Sequence, residues 1–135
     1  MKAILSVLLF IPMVLFSQEP MIEMSPEKHN KDEIHEVVDE PASFPGGSTE
    51  MMKYIGNTVK YPKKSIENKE EGRVFVEFVV NRDGSFSDIK ILRGVSKDID
   101  TEALRVVKGM PNWTPAELGG KTVRSRARLP LSFTL

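Results

Sequence analysis

KTVRSRARLPLSFTL, Lys121 to Leu135, is the stretch from which the rest of the chain is read. Its first half alternates. Val123, Ser125, Ala127 and Leu129 share one face of a strand, and Thr122, Arg124, Arg126 and Arg128 share the other. Pro130 then interrupts the pattern. Proline cannot donate to a ladder, so one side of the strand lacks a partner there. A charged strand carrying a proline reads as a guarded edge strand. Free backbone groups on an edge are also where another chain can add a strand. The question for the whole molecule is whether this edge is merely protected or is a docking site.

Working outward, Asn112 to Gly120 reads as a loop, and the helix before it starts at Asp98 or Asp100 as cap. Its apolar stripe is Ile99, Ala103, Val106, Val107 and Met110, and it stops at Gly109. Gly72 to Val80 is a strand with Val74, Val76, Phe78 and Val80 on one face and Arg73, Phe75, Glu77 and Val79 on a mixed one. Asn81 to Gly84 forms a hairpin turn. The return strand, Ser85 to Arg93, puts Ile89 and Ile91 on one face, Phe86 and Leu92 on the other. Upstream, Phe44-Pro45-Gly46-Gly47 opens the domain and Ser48 caps a helix with Met52, Ile55 and Val59 on one face, Met51 beside them. Tyr61-Pro62 breaks that helix and starts a short second one through about Asn68, with Ile66 inward. The predicted class is α+β: a small antiparallel three-stranded sheet with helices on one face, in the order α-α-β-β-α-β.

The 135 residues suffice for one modest domain. With no cysteine, disulfides, thiolate zinc sites and thiol nucleophiles are excluded. The zero net charge hides a division: Glu19 to Glu50 carries nine acidic and two basic residues, whereas Met51 to Leu135 carries ten acidic and sixteen basic. Residues 1–18 read as a signal peptide. Lys2 precedes an apolar run, Ala3 to Phe16, too short to span a bilayer comfortably, and cleavage is expected near Ser17 or Gln18. A short uncleaved inner-membrane anchor is the alternative; either way the domain, residues 44–135, is exported. Residues 19–43, acidic and poor in large apolar side chains, read as a flexible linker. Within them Ile34 to Val38 could form a transient strand or helical turn.

Catalytic chemistry finds little to use. The two histidines, His29 and His35, lie in the acidic segment. With Glu33, Glu36 and Asp39 they could hold a metal only weakly, because ligands need a rigid frame. No histidine remains in the domain for a nucleophile-base pair. Asn81, Asp83 and Ser85 faintly resemble a calcium loop, but a hairpin explains each of them. No enzyme, metal or cofactor is expected. The arginine row has no interleaved aromatic platform, which speaks against nucleic acid. It suits an acidic peptide or anionic head groups, or it guards the edge. Trp113 reads as core.

Taken in order, Phe44-Pro45-Gly46-Gly47, Tyr61-Pro62, Glu71-Gly72-Arg73-Val74, Asp83-Gly84, Asp100 with Ala103 and Leu104, Met110-Pro111-Asn112-Trp113-Thr114-Pro115, Gly120-Lys121 and Phe133 resemble the C-terminal domain of the TonB energy-transducer family. The Phe-Pro-Gly-Gly string looks like the Bacteroidetes-type branch. The resemblance implies a periplasmic module in transmembrane and protein transport. Such modules grip an extended peptide of an outer-membrane receptor by strand addition while inner-membrane, proton-driven motor subunits pull. Carried onto this chain, the receiving edge is Val123, Arg124, Ser125, Arg126, Ala127, Arg128 and Leu129, and Tyr61 and Pro62 form a second contact. Two features depart from the family. The apolar segment has no histidine, and the linker of about 25 residues reaches at most about 90 Å. A free periplasmic domain that self-associates, as a homodimer or larger assembly, is therefore the alternative. The acidic segment is also expected to lie against the arginine face and compete with partners.

Overall fold

The computed structural model describes residues 32–135, and the segment expected to be a signal peptide or anchor lies outside them. The described residues form one compact unit. Its elements run β1 (Ile34–His35), α1 (Ser48–Thr58), α2 (Lys63–Glu67), β2 (Gly72–Val80), β3 (Phe86–Arg93), α3 (Lys97–Lys108), β4 (Ala116–Leu118) and β5 (Lys121–Phe133). The class is α+β, but the sheet has five strands rather than three. The path is β1-β5-β2-β3, with β4 paired to β5 as well.

Two strands were hidden in segments read as loop and linker. Ala116–Leu118 becomes β4 because Gly119 (φ 59°) and Gly120 (φ 77°) make a tight two-residue turn. The hairpin then pairs Ala116 with Val123 and Leu118 with Lys121. Ile34–His35 pairs in parallel with Arg124 and Ser125. The chain then crosses to β4's outer side, where Glu40 bridges Glu117 and Ser43 bridges Thr114. Composition missed this because the segment is held by backbone pairing and charge rather than by apolar area.

The core is built as the patterns require. Val74, Val76, Phe78 and Val80 on β2 are fully buried, and Leu129, Leu131 and Phe133 of β5 lie beside them. The β5 pattern therefore continues through Pro130 rather than stopping there, with Gly72 to Val80 registered against Phe133 to Ser125 without a break. α3 lays Ile99, Ala103 and Val107 over this face. Its cap is Ser96, whose side chain accepts from Ile99 N at 3.3 Å. Asp98 and Asp100 instead lie inside the first turn, and Asp100 reaches back to accept from Val95 N at 2.8 Å. Trp113, 8% exposed, meets Phe78 edge-on at 5.2 Å.

Three inward assignments shift. Ser48 is the first helical residue and Gly47 the cap position, so α1 turns Met51, Tyr54 and Ile55 to the core and leaves Met52 65% exposed. α2 buries Ser65, not Ile66. On β3, Asp88 adopts φ 51° and the register with β2 slips between Glu77 and Val79. That bulge adds a residue, so Phe86 rejoins Ile89 and Ile91 on the core side, its ring 4.6 Å from Phe78.

Candidate functional site

β5 lies between two unequal neighbours. Its inner side is fully laddered to β2. On its outer side Val123 is taken by β4, and Arg124 and Ser125 by β1. Among the described residues, no strand pairs the outer side from Arg126 to Phe133. Pro130 stands opposite Phe75 and has no N–H to give β2, so its place in the unbroken ladder is one that faces away from β2. By the strict alternation of an antiparallel strand, the backbone groups of Arg128 and Ser132 face the same open side. Of the seven residues expected to form a receiving edge, Arg126, Ala127, Arg128 and Leu129 lie beside open space, while Val123, Arg124 and Ser125 are already paired.

The arginine row is organised by a residue the sequence reading left unassigned. Glu77 of β2, 5% exposed, accepts from Arg128 Nε at 3.0 Å and Arg126 Nη1 at 3.2 Å, and Lys90 Nζ lies 3.4 Å away. Burial pushes the Glu77 carboxyl up. Hydrogen bonds from Arg128 and Lys90, with the charges of Lys90 and Arg126, outweigh that and hold it below the usual range. An acid in the middle of a β-branched strand, on the same face as the arginines, was the signal available. Arg124 turns away from this cluster. It donates to Asn81 Oδ1 at 2.9 Å and to the Asp32 carbonyl at 2.7 Å.

Besides that Asp32 contact, the acidic segment meets the row through Glu36. Glu36 accepts from Arg126 Nε at 2.7 Å, and Arg128 Nη2 lies 3.8 Å from its second oxygen. The Arg126 guanidinium is held above its ordinary value by that bond first, then by the nearby charges, against burial. Between this segment and β5 is a groove of about 260 Å³. Val38, Pro41, Ala42, Trp113 and Ala127 line it together with Glu36, Arg126 and Arg128. Trp113 Nε1 is buried with no acceptor among the described residues.

Tyr61 and Pro62 are not part of this groove. The Tyr61 ring packs edge-on against Phe133 at 5.7 Å, and its hydroxyl donates to the Glu70 carbonyl. Four residue steps along the strand separate Phe133 from Leu129, about 13 Å. Tyr61 and Pro62 instead line a second cavity of about 330 Å³ with Lys60, Asp98, Thr101, Glu102 and Arg105. There the Glu102 carboxylate accepts from Lys60 N at 2.6 Å and Arg105 Nη2 at 2.9 Å. No cluster of three His, Cys, Asp or Glu suited to a metal occurs among the described residues, and His29 lies outside them.

The family model described as "Gram-negative bacterial TonB protein C-terminal" matches residues 57–135. The chain belongs to the TonB C-terminal family. Protein TonB of Helicobacter pylori strain ATCC 700392 / 26695 is 30% identical over 114 residues, covering 81% of this chain and 39% of that protein. Protein TonB of H. pylori strain J99 is 31% identical over 96 residues, covering 67% and 33%. The chain thus spans well under half of the curated TonB proteins it matches. Two solution structures of the H. pylori TonB C-terminal domain are similar, at 28% and 25% identity, with TM-scores of 0.49 and 0.47. They cover 67% and 64% of this chain, and the chain spans 86% and 90% of them. Among the described residues no helix is long and apolar enough to cross a membrane. The TonB family match takes in all of β2, β3, α3, β4 and β5 and begins beyond β1.

Proposed function

We propose that this TonB-family domain faces the periplasm and captures an extended peptide of an outer-membrane receptor as an added strand on the outer edge of β5. The work it serves is energy transduction for outer-membrane transport, coupled to inner-membrane, proton-driven motor subunits. Its chemistry is binding, without a cofactor. The observation that carries this reading is the asymmetry of β5. A strand buried and laddered on one side leaves Arg128 and Ser132 with backbone groups aimed at open space. Main-chain hydrogen bonds supply affinity in such complexes, and alternate side chains supply choice. Tyr61 and Pro62, beyond the far end of the same strand, are the second contact.

The test substitutes one position two ways. Arg128→Ala removes the guanidinium and keeps the N–H. Arg128→Pro removes both, in a strand that already accommodates Pro130 on the same side. Peptides tiled across the periplasm-facing segments of the cell's outer-membrane receptors are titrated against each by fluorescence anisotropy. Strand addition predicts a loss for Arg128→Pro at least tenfold beyond that of Arg128→Ala, with the far-ultraviolet circular dichroism of the parent retained. Equal affinities for the two variants would refute docking at this edge.

A further inference from the structure

The near end of the open edge is already occupied by the chain itself. Ile34 and His35 lie in parallel on Arg124 and Ser125, and one residue beyond the last pair the Glu36 side chain accepts from Arg126 Nε. Parallel neighbours in register present side chains on the same face, which is why Glu36 arrives on the arginine face and reaches both Arg126 and Arg128. The segment is thus an added strand in miniature: two backbone pairs followed by a carboxylate between two guanidinium groups.

How it is held matters as much as where. Downstream the chain is fixed. Asp39 N and Glu40 N donate to the Glu117 carbonyl at 3.0 and 3.1 Å, Glu117 N returns to Glu40 O at 2.9 Å, and Asp39 Oδ2 accepts from Gly119 N at 2.9 Å. Between this anchor and β1 stands Val37, 83% exposed. Ile34 to Glu36 can therefore leave β5 by rotation about Val37 and Val38 while the anchor stays paired. Ile34 and His35 are only half-buried, and the segment is otherwise held by the Glu36 ion pairs and by Arg124 Nη1 on the Asp32 carbonyl, contacts that are individually modest.

From this, and resting on the strand-addition reading above, the geometry points to Ile34–Glu36 as a built-in stand-in for the partner. The receptor peptide that replaces it runs parallel to β5 and carries a carboxylate at the place of Glu36, facing Arg126 and Arg128. The open edge beyond Arg126 provides the first foothold, and exchange of one strand for the other extends it to Arg124. A closed segment lowers the apparent affinity by the fraction of molecules in which the edge is free.

The chain has no cysteine, so a disulfide can be introduced cleanly between the paired positions Ile34 and Arg124. Neighbouring strands bring Cα atoms to about 4.8 Å, within disulfide range. The full chain carrying Ile34→Cys and Arg124→Cys is titrated with the tiled receptor peptides, oxidised and then reduced. Displacement predicts at least tenfold weaker binding when oxidised, restored on reduction. Equal binding in both states, with Arg128→Pro still defective, overturns displacement and leaves strand addition beyond Arg126 standing. No binding in the reduced form or in the parent overturns strand addition and this inference together. The carboxylate is tested on the best peptide by changing each Asp or Glu to its amide in turn. One position is expected to cost several-fold in the parent, and Arg126→Gln is expected to cancel that difference. If no position does so, the acidic requirement is wrong. Glu36→Ala in the full chain is expected to raise affinity several-fold, more at low salt, and an unchanged affinity counts against the stand-in role.

Discussion

Gly84 is where the β2–β3 turn touches the loop that carries Trp113. It adopts φ 88°, and its carbonyl accepts from Trp113 N at 2.9 Å. A Cβ built there would collide with the Trp113 carbonyl oxygen and lie 3.2 Å from Asn112 Cβ. Gly84→Ala therefore has two costs. Left-handed geometry costs an alanine about 1 kcal/mol. Backbone that must move out of a packed contact adds about 1–3 kcal/mol. Together they predict a loss of about 3 kcal/mol. For a domain of this size that is a fall in Tm of roughly 12–24 °C. Gly56 provides the opposite case. It lies in α1 with nothing within 4 Å of a built Cβ, so Gly56→Ala should gain about 0.5 kcal/mol from helix propensity. Both are read by urea unfolding followed by Trp113 fluorescence and by calorimetry. A Gly84→Ala loss under about 1 kcal/mol would show that the turn and the Trp113 loop do not meet as described. The aromatic wall of the groove beside β5 would then be misplaced.

Other outcomes follow from the same packing. Phe78→Ala should cost about 3–5 kcal/mol, because a fully buried ring leaves a cavity beside Phe86 and Trp113; denaturant midpoints check it. Met51→Ala should cost about 1–2 kcal/mol and Met52→Ala under about 0.5 kcal/mol, reversing the roles an idealised helix stripe would give them. Glu102 is held below its ordinary value of 4.5 first by the Arg105 hydrogen bond, against burial, with help from Lys60 N. A lowered carboxylate gives stability that is present above 4.5 and lost as pH falls through the lower folded value. Glu102→Gln should therefore flatten the decline of urea midpoints below about pH 4.5 while also lowering them at pH 7.

Much of this was legible in the chain because periodicity reports burial. The alternation of Val74, Val76, Phe78 and Val80, and the α3 stripe from Ile99 to Val107, specified the core directly. The arginines were correctly separated from Val123, Ser125, Ala127 and Leu129. What escaped was information that lies in pairing rather than in pattern. β4 is three residues long and exists because Gly119 and Gly120 let the chain turn back. β1 is two residues in an acidic stretch that buries little apolar surface. The Asp88 bulge moves Phe86 to the core side through one positive φ, and no count of apolar residues anticipates a register slip. Glu77 was visible but unread, since its role appears only once Arg126, Arg128 and Lys90 converge on it from two neighbouring strands. Pro130 and the arginines marked β5 as an edge; the structure divides its outer side into an end paired by β4 and β1 and an end that no strand pairs among the described residues.

The most direct test is amide hydrogen exchange on the full chain, free and with the best receptor peptide. Arg128 and Ser132 N–H groups face open space in the free protein and should exchange fast there, while Ala127 and Leu129 amides, turned to β2, should already be slow. Strand addition predicts that saturating peptide slows Arg128 and Ser132 at least tenfold and leaves Ala127 and Leu129 as they were. Fast exchange at Arg128 and Ser132 in the saturated complex would contradict docking on β5 and move the search for the partner site elsewhere on the domain.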